Sequence, residues 1–252
     1  MRQSAWFRHL SIRSLVGRTL VAAGLLAATS VPASAAYEIE WTAGHGDIGV
    51  EYDDVDGTLE LHYHFESGAV LNGVPVDGTI NPDGIENEPD EAYVRVGTDT
   101  FTTDAGLNSY VLPEDDTSGV PYVGLASEEL DGQGFSGVTL SLAAFDGPGR
   151  FQLVDFSSSG QTTFIDTDDL GTFNEVTLGV PTHVHYNYAF SELGVYDLTL
   201  QADAAFSAGG SVRDTATFRF VVGDLTAVPE PGSMAVLAIG GLALATRRRR
   251  RR

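Results

Sequence analysis

Alternation of apolar and polar residues with a period of two restricts the fold of this chain more than any other feature. It recurs in three segments, 58–66, 194–202 and 215–222. Successive side chains of a β-strand point to opposite faces, so each segment predicts a half-buried strand. Turns rich in Gly and Asp separate these segments, and only the two ends show any helical pattern. We therefore expect an all-β fold, a single antiparallel β-sandwich of immunoglobulin-like or jelly-roll-like type.

The stretch from Ile80 to Ser118 has a weaker pattern and is rich in Asp, Glu, Asn and Pro. We expect loops there with one or two strands, one of them from Tyr93 to Val96. A boundary between two small domains in this stretch is the alternative. We prefer one domain, residues 36–227, because each patterned half is too small to close a good core.

Residues 1–35 have the three parts of a cleavable secretion signal. Four arginines come first, an apolar stretch spans 20–28, and Ala33 and Ala35 form an A-x-A cleavage site. A permanent membrane anchor is the alternative, but the apolar stretch is too short to span a bilayer. We expect the Sec machinery to export the chain and the signal to be removed, so that the mature chain starts at Ala36 or Tyr37.

Residues 228–252 also have three parts in a fixed order. Pro229, Glu230 and Pro231 precede an apolar run over 234–245, and six arginines follow. This order resembles the PEP-CTERM sorting signal of Gram-negative bacteria that possess an exosortase. The resemblance implies that exosortase is a partner, and that a short apolar helix anchors the chain transiently in the inner membrane. It also implies a final location at the cell envelope, the cell surface or outside the cell. The arginines favour the same orientation, because basic ends resist translocation.

The region between the two ends is strongly acidic. Of the 14 basic residues, all arginine, four lie in the leader and six at the C-terminus, which leaves four. Of the 35 acidic residues only Glu230 lies in the tail, so residues 36–227 carry a formal charge of −30. Such a domain repels nucleic acid and anionic lipid and concentrates cations. Adaptation to salt is an alternative reason for this charge.

Histidines supply the best candidate site. Two His-x-His pairs lie in predicted strands, His62 with His64 and His183 with His185, each opposite the apolar side of its strand. This spacing places both imidazoles of a pair on one face, which suits two ligands of one metal ion. The chain has no Cys, so a thiolate site is excluded. The alternative is that these histidines are ordinary exposed polar residues.

We expect the two pairs to lie on neighbouring strands and to share one divalent cation, with His45 or Asp47 in support. Zn²⁺ is the cation we expect, since four imidazoles or three with a carboxylate form a tetrahedral site. Another divalent cation remains open. We expect no enzyme activity, because no general base is identifiable beside this site.

Several segments together resemble the choice-of-anchor M domain, a family of bacterial proteins that share one surface domain but use different sorting tails. The strongest is the H-x-H-x-N-[WY]-x-F segment, matched by His183, His185, Asn187, Tyr188 and Phe190. The others are 44–50, 57–61, 147–153 and 194–198. Actinobacterial members occur with metal-type ABC transporters, and a cyanobacterial PEP-CTERM group is under zinc-repressor control. The resemblance implies a surface role in metal acquisition or storage, with such a transporter as partner.

A second hypothesis is a structural or adhesive component of the extracellular matrix with no metal role. PEP-CTERM tails commonly accompany exopolysaccharide production, so exopolysaccharide is then the expected partner. The metal content of the mature domain distinguishes the two hypotheses.

Overall fold

The structure is a computed structural model that describes residues 37–98, 100–102, 108–158 and 160–224. The predicted signal peptide and the predicted sorting tail with its apolar helix lie outside these residues. All described residues fall in one compact unit. They contain strands and a single 3₁₀ turn, and no helix among them is long and apolar enough to cross a membrane.

The first nine strands in chain order are β1 (Ile39–Asp53), β2 (Thr58–Phe65), β3 (Val70–Leu71), β4 (Val74–Pro75), β5 (Ile85–Asn87), β6 (Ala92–Val96), β7 (Thr100–Thr102), β8 (Asn108–Leu112) and β9 (Pro121–Ala126). The 3₁₀ turn, Glu128–Leu130, follows β9. The remaining strands are β10 (Phe135–Asp146), β11 (Phe151–Ser157), β12 (Gly160–Asp166), β13 (Glu175–Gly179), β14 (His183–His185), β15 (Asn187–Phe190), β16 (Gly194–Phe206) and β17 (Ser211–Val222).

The larger sheet is mixed, with twelve strands among the described residues. Its main path runs β13-β10-β16-β17-β6-β1-β2-β5, while β9 pairs with both β1 and β14. Three pairs are parallel, namely β1 with β6, β17 with β6 and β1 with β9. The all-β prediction is confirmed, but the expectation of antiparallel pairing throughout is wrong at these three pairs. Alternation indicates the face that a residue occupies, whereas the direction of a neighbouring strand depends on connections that periodicity does not report.

The smaller sheet has the order β12-β11-β15-β8-β7 and is antiparallel. Two of its strands, together with β5 and β6, come from the stretch between Ile80 and Ser118. That stretch therefore holds four strands where the sequence predicts one or two. Each has only three to five residues, which is too short for a clear period-two pattern.

The alternating segments pack their apolar sides into one core, as predicted. Leu59, Leu61, Tyr63 and Phe65 of β2 are all buried. The aromatic residues of β17 join this core to both sheets: the ring centroid of Phe218 lies 5.0 Å from that of Tyr63, and Phe220 lies 5.4 Å from Phe190 of the smaller sheet. The opposite side of β2 is left to carry polar residues.

Strand β1 changes its pairing partner along its length, and this change positions the candidate site. Residues Ile39 to Trp41 pair with β6, whereas Gly44 to Gly49 pair with β9. Gly44 lies at the change and has a φ of +77°, a conformation that other residues adopt only with strain. A Cβ there would also lie 2.4 Å from the carbonyl oxygen of Gly68. Glycine thus allows β1 to turn and to present the residues that follow.

Two Arg–Asp pairs cross from β16 to β17, and they differ mainly in burial. Asp197 is opposite Arg219, and Asp203 is opposite Arg213. The Arg219 guanidinium is 5% exposed and donates two hydrogen bonds of 2.6 Å to Asp197, whereas the Arg213 side chain is 66% exposed. A charge buried without its partner costs far more than an exposed one.

We predict that Asp197→Ala lowers the free energy of unfolding by about 3 kcal/mol, because it leaves the Arg219 charge buried. The matched variant Asp203→Ala should cost less than about 1 kcal/mol, because Arg213 remains in water. Urea unfolding of both variants measures this difference. Equal losses would contradict the role given to the buried pair.

Candidate metal centre

Both His-x-His pairs lie on one face of the larger sheet, but two strands separate them. In one row His64 is opposite Asp47, Asp47 is opposite Gly124, and Gly124 is opposite His185. Three strand spacings of roughly 4.8 Å place the two pairs about 14 Å apart across the sheet. Contrary to the sequence-based expectation, the four histidines of the two pairs do not converge on one cation. The intervening strands β1 and β9 are the reason, and no spacing within either pair indicates them.

The first of two groups consists of His45, Asp47, His183 and His185, and we call it the three-histidine cluster. Each residue offers one potential ligand atom, and these atoms lie within 4.8 Å of one another. The Nε2 atoms of His45 and His183 are 3.1 Å apart. The Oδ1 atom of Asp47 lies 3.0 Å from His183 Nε2 and 3.5 Å from His45 Nε2. The centroids of the three imidazole rings are each 5.0 Å from the other two.

These distances match those between the ligands of a tetrahedral zinc ion. Zn–N and Zn–O bonds of about 2.0–2.1 Å at tetrahedral angles give ligand atoms roughly 3.3 Å apart. The three separations in the structure, 3.0, 3.1 and 3.5 Å, bracket that value. Two imidazoles and the carboxylate therefore have the spacing of zinc ligands, and His185, whose potential ligand atom lies within 4.8 Å of theirs, is near enough to supply the third imidazole.

Gly124 of β9 makes room for the cluster. It lies between Asp47 and His185 in their row, where any other residue would place a side chain on the same face. A Cβ at this position would lie 2.0 Å from Asp47 Oδ1 and 3.1 Å from His183 Nε2. The missing side chain is thus what lets groups from β1 and β14 meet across an intervening strand.

Neighbouring groups orient the imidazoles so that Nε2 of two of them faces inward. His183 Nδ1 lies 3.3 Å from Glu128 of the 3₁₀ turn, and His45 Nδ1 lies 3.7 Å from Glu66. Tyr122 stacks on His185 with ring centroids 3.6 Å apart. A carboxylate beside the outer nitrogen of a histidine is a common support for metal ligation, since it fixes the ring orientation and raises the basicity of the ligand.

The protonation of the cluster follows from burial and mutual contacts. Burial alone would raise the pKa of Asp47, but contact with His183 and His45 outweighs it and lowers the pKa to about 2. Contact with Asp47 raises the pKa of His183. Burial, with a smaller effect from His45, lowers the pKa of His185 to about 4. At neutral pH the cluster therefore offers a carboxylate and a neutral imidazole, the forms that bind metal.

The second group consists of His62, His64 and Glu129, and we call it the glutamate cluster. Glu129 Oε1 lies 2.9 Å from His64 Nδ1, and Oε2 lies 3.3 Å from His62 Nε2. Contact with Glu129 raises the pKa of His64 to about 9. Burial opposes ionisation of Glu129, yet contact with both histidines lowers its pKa to about 2. In the absence of a metal ion the three groups form an ion-paired network.

Sequence reasoning missed Glu129 and Gly124. Glu129 lies in a short turn after β9, and no periodicity or spacing connects it with His62 or His64. The sequence offers one weak indication for Gly124: a glycine within a strand often marks a place where another group approaches the backbone closely.

Polar atoms without partners concentrate in the two clusters. Among the described residues, nine buried side-chain nitrogen or oxygen atoms have no hydrogen-bond partner. Five of them belong to the clusters, namely Asp47 Oδ1, His62 Nδ1, His62 Nε2, Glu129 Oε2 and His185 Nδ1. Buried polar groups are normally paired, and an unpaired one needs an explanation such as a bound ion.

Comparison with protein families finds the PEP-CTERM protein-sorting motif at residues 227–251. This motif implies export, sorting to the cell envelope and processing by an exosortase. No family is identified for the domain that precedes it. No curated protein and no solved structure matches the chain.

We predict that Gly124→Ala weakens Zn²⁺ binding by roughly 100-fold while the protein stays folded, because the methyl group occupies the space of Asp47 Oδ1. Gly97→Ala is the control, since a Cβ there meets nothing within 4 Å. Calorimetry with Zn²⁺ compares the two variants, and circular dichroism verifies the fold. An unchanged Zn²⁺ affinity in Gly124→Ala would contradict the claim that Gly124 makes room for the metal centre.

Proposed function

We propose that this exported, envelope-sorted protein binds one Zn²⁺ ion through the three-histidine cluster and serves in metal acquisition or storage at the cell surface. The observation that carries the proposal is the triangle formed by His45 Nε2, His183 Nε2 and Asp47 Oδ1 above Gly124. Its sides have the lengths expected between the ligands of a zinc ion.

The donor set favours Zn²⁺ over harder cations. Imidazole suits zinc and other late transition metals, whereas Mg²⁺ and Ca²⁺ prefer sites made of oxygen ligands. Three imidazoles and one carboxylate complete a tetrahedral shell. Catalytic zinc sites keep one position open for water or substrate, so for this cluster we propose binding and not catalysis.

The rest of the chain supports a role in collecting cations. The formal charge of −30 on residues 36–227 raises the concentration of cations near the surface. The sorting motif at 227–251 brings this domain to the envelope, and we infer that a signal peptide directs export and that the tail anchors the chain transiently in the inner membrane. The resemblance to the choice-of-anchor M domain supports a metal-type ABC transporter as partner.

We also infer that the fold is a β-sandwich. The contact of Phe218 in β17 with Tyr63 in β2 supports this inference, because it packs two strands that are not paired with each other against one another.

A structural or adhesive role beside exopolysaccharide is the second candidate. One observation favours it: both ring nitrogens of His64 have partners without a metal ion, Glu129 at 2.9 Å and the Asp83 carbonyl at 2.8 Å. A histidine–carboxylate network can therefore serve the fold alone.

The double variant His183→Ala, His185→Ala tests the proposal. We expect it to lose the tightly bound Zn²⁺ ion and to keep its fold, because both residues are only half-buried and His45 still contacts the buried Asp47 carboxylate. Metal analysis after dialysis, together with calorimetry, measures the loss.

A matched control is Thr139→Ala, Thr177→Ala, a pair that shares a 3.0 Å hydrogen bond between β10 and β13. It should keep the ion. If the wild-type protein carries no stoichiometric metal, the structural role is favoured instead.

A further inference from the structure

We propose that the glutamate cluster is a second, separate cation site, with three protein ligands and an open position that faces an acidic cavity. None of its ligands belongs to the three-histidine cluster, so the inference goes beyond the proposed function and stands or fails on its own evidence. The ligands are His62, His64 and Glu129, whose potential ligand atoms lie within 4.8 Å of one another.

The hydrogen bond of His64 to the backbone orients its ring so that Nδ1 faces the proposed site. Its Nε2 atom lies 2.8 Å from the carbonyl oxygen of Asp83. A carbonyl only accepts, so Nε2 carries a hydrogen, and Nδ1 is the nitrogen left to bind either a proton or a metal ion. Nδ1 lies 2.9 Å from Glu129 Oε1, an oxygen that only accepts when ionised. Either a proton on Nδ1 or a metal ion must therefore lie between the two atoms.

His62 favours a metal ion over a proton in that position. It is 6% exposed, and neither ring nitrogen has a hydrogen-bond partner. Glu129 Oε2, 3.3 Å from His62 Nε2, is also buried without an aligned partner. A proton shared by His64 and Glu129 would leave both of these atoms unsatisfied, whereas one metal ion would bind all three residues.

A glycine again makes the space. Gly49 of β1 is opposite His62, and a Cβ there would lie 2.7 Å from His62 Nε2. Gly49 thus has the place in this cluster that Gly124 has in the other one. A small cavity of about 60 Å³, lined by Asp47, His64 and Glu129 among others, lies between the two clusters.

The glutamate cluster also borders a wider cavity of about 260 Å³. His62 lines it together with five carboxylates, those of Glu51, Glu60, Glu86, Glu88 and Glu91. A cavity lined by one sign of charge concentrates cations. An ion held by three protein ligands beside this cavity has a position free for water, so it should exchange faster than an ion held by four.

Zn²⁺ titration of the exported protein, purified without a polyhistidine tag, tests this inference. We expect two ions per chain in the wild type, and a weak chelator should remove one of them first. Glu129→Gln should bind one ion, the slowly released one. Gly49→Ala should behave in the same way, because its methyl group displaces the His62 ring. It keeps all three ligand residues in the sequence, so it is the alternative variant if Glu129→Gln does not fold.

Two controls separate this inference from the proposed function. Gly124→Ala should retain the fast-exchanging ion alone, and Glu175→Gln, an exposed residue of β13, should retain both ions. One ion in the wild type that survives Glu129→Gln and Gly49→Ala would overturn the second site and leave the proposed function intact. One ion that is lost in Glu129→Gln but kept in Gly124→Ala would support the second site and refute the first.

Discussion

The buried carboxylate of Asp47 is the group on which the candidate centre depends. It is 2% exposed, and a buried charge is unfavourable unless a positive group compensates it. His45 on the same strand and His183 on β14 compensate the charge. His183 can contact Asp47 across β9 because β9 has Gly124, without a side chain, at the position between them. The three strands must therefore keep their register for the charge to be compensated, so the sheet and the cluster support each other.

The 3₁₀ turn after β9 connects the two clusters. Its first two residues serve different groups: Glu128 lies beside the outer nitrogen of His183, while Glu129 contacts both His62 and His64. β9 thus supplies the space for one cluster and, through the turn that follows, a ligand candidate for the other. A shift of this turn would change the contacts in both clusters. The turn therefore connects two histidine pairs that lie about 14 Å apart on one face of the sheet.

Much of the fold and part of the site could be predicted from the sequence. Period-two alternation correctly predicted the buried faces of β2, β16 and β17, because that signal is local. It also placed both His-x-His pairs on polar faces. It could not show that β1 and β9 lie between the pairs, since strand order depends on contacts distant in sequence. For the same reason Glu129, in a turn without periodicity, was missed. The sequence also assigned both His-x-His pairs to one site with His45 or Asp47 in support, whereas the structure places His45 and Asp47 with the His183 pair alone.

Anomalous diffraction at the zinc edge, from crystals loaded with one equivalent of Zn²⁺, tests the central claim most directly. We predict a single strong peak above Gly124, about 2.0–2.1 Å from His45 Nε2, His183 Nε2 and an oxygen of Asp47. A structure in which zinc-treated crystals show no peak there, with the imidazoles still in contact with Asp47, would contradict it.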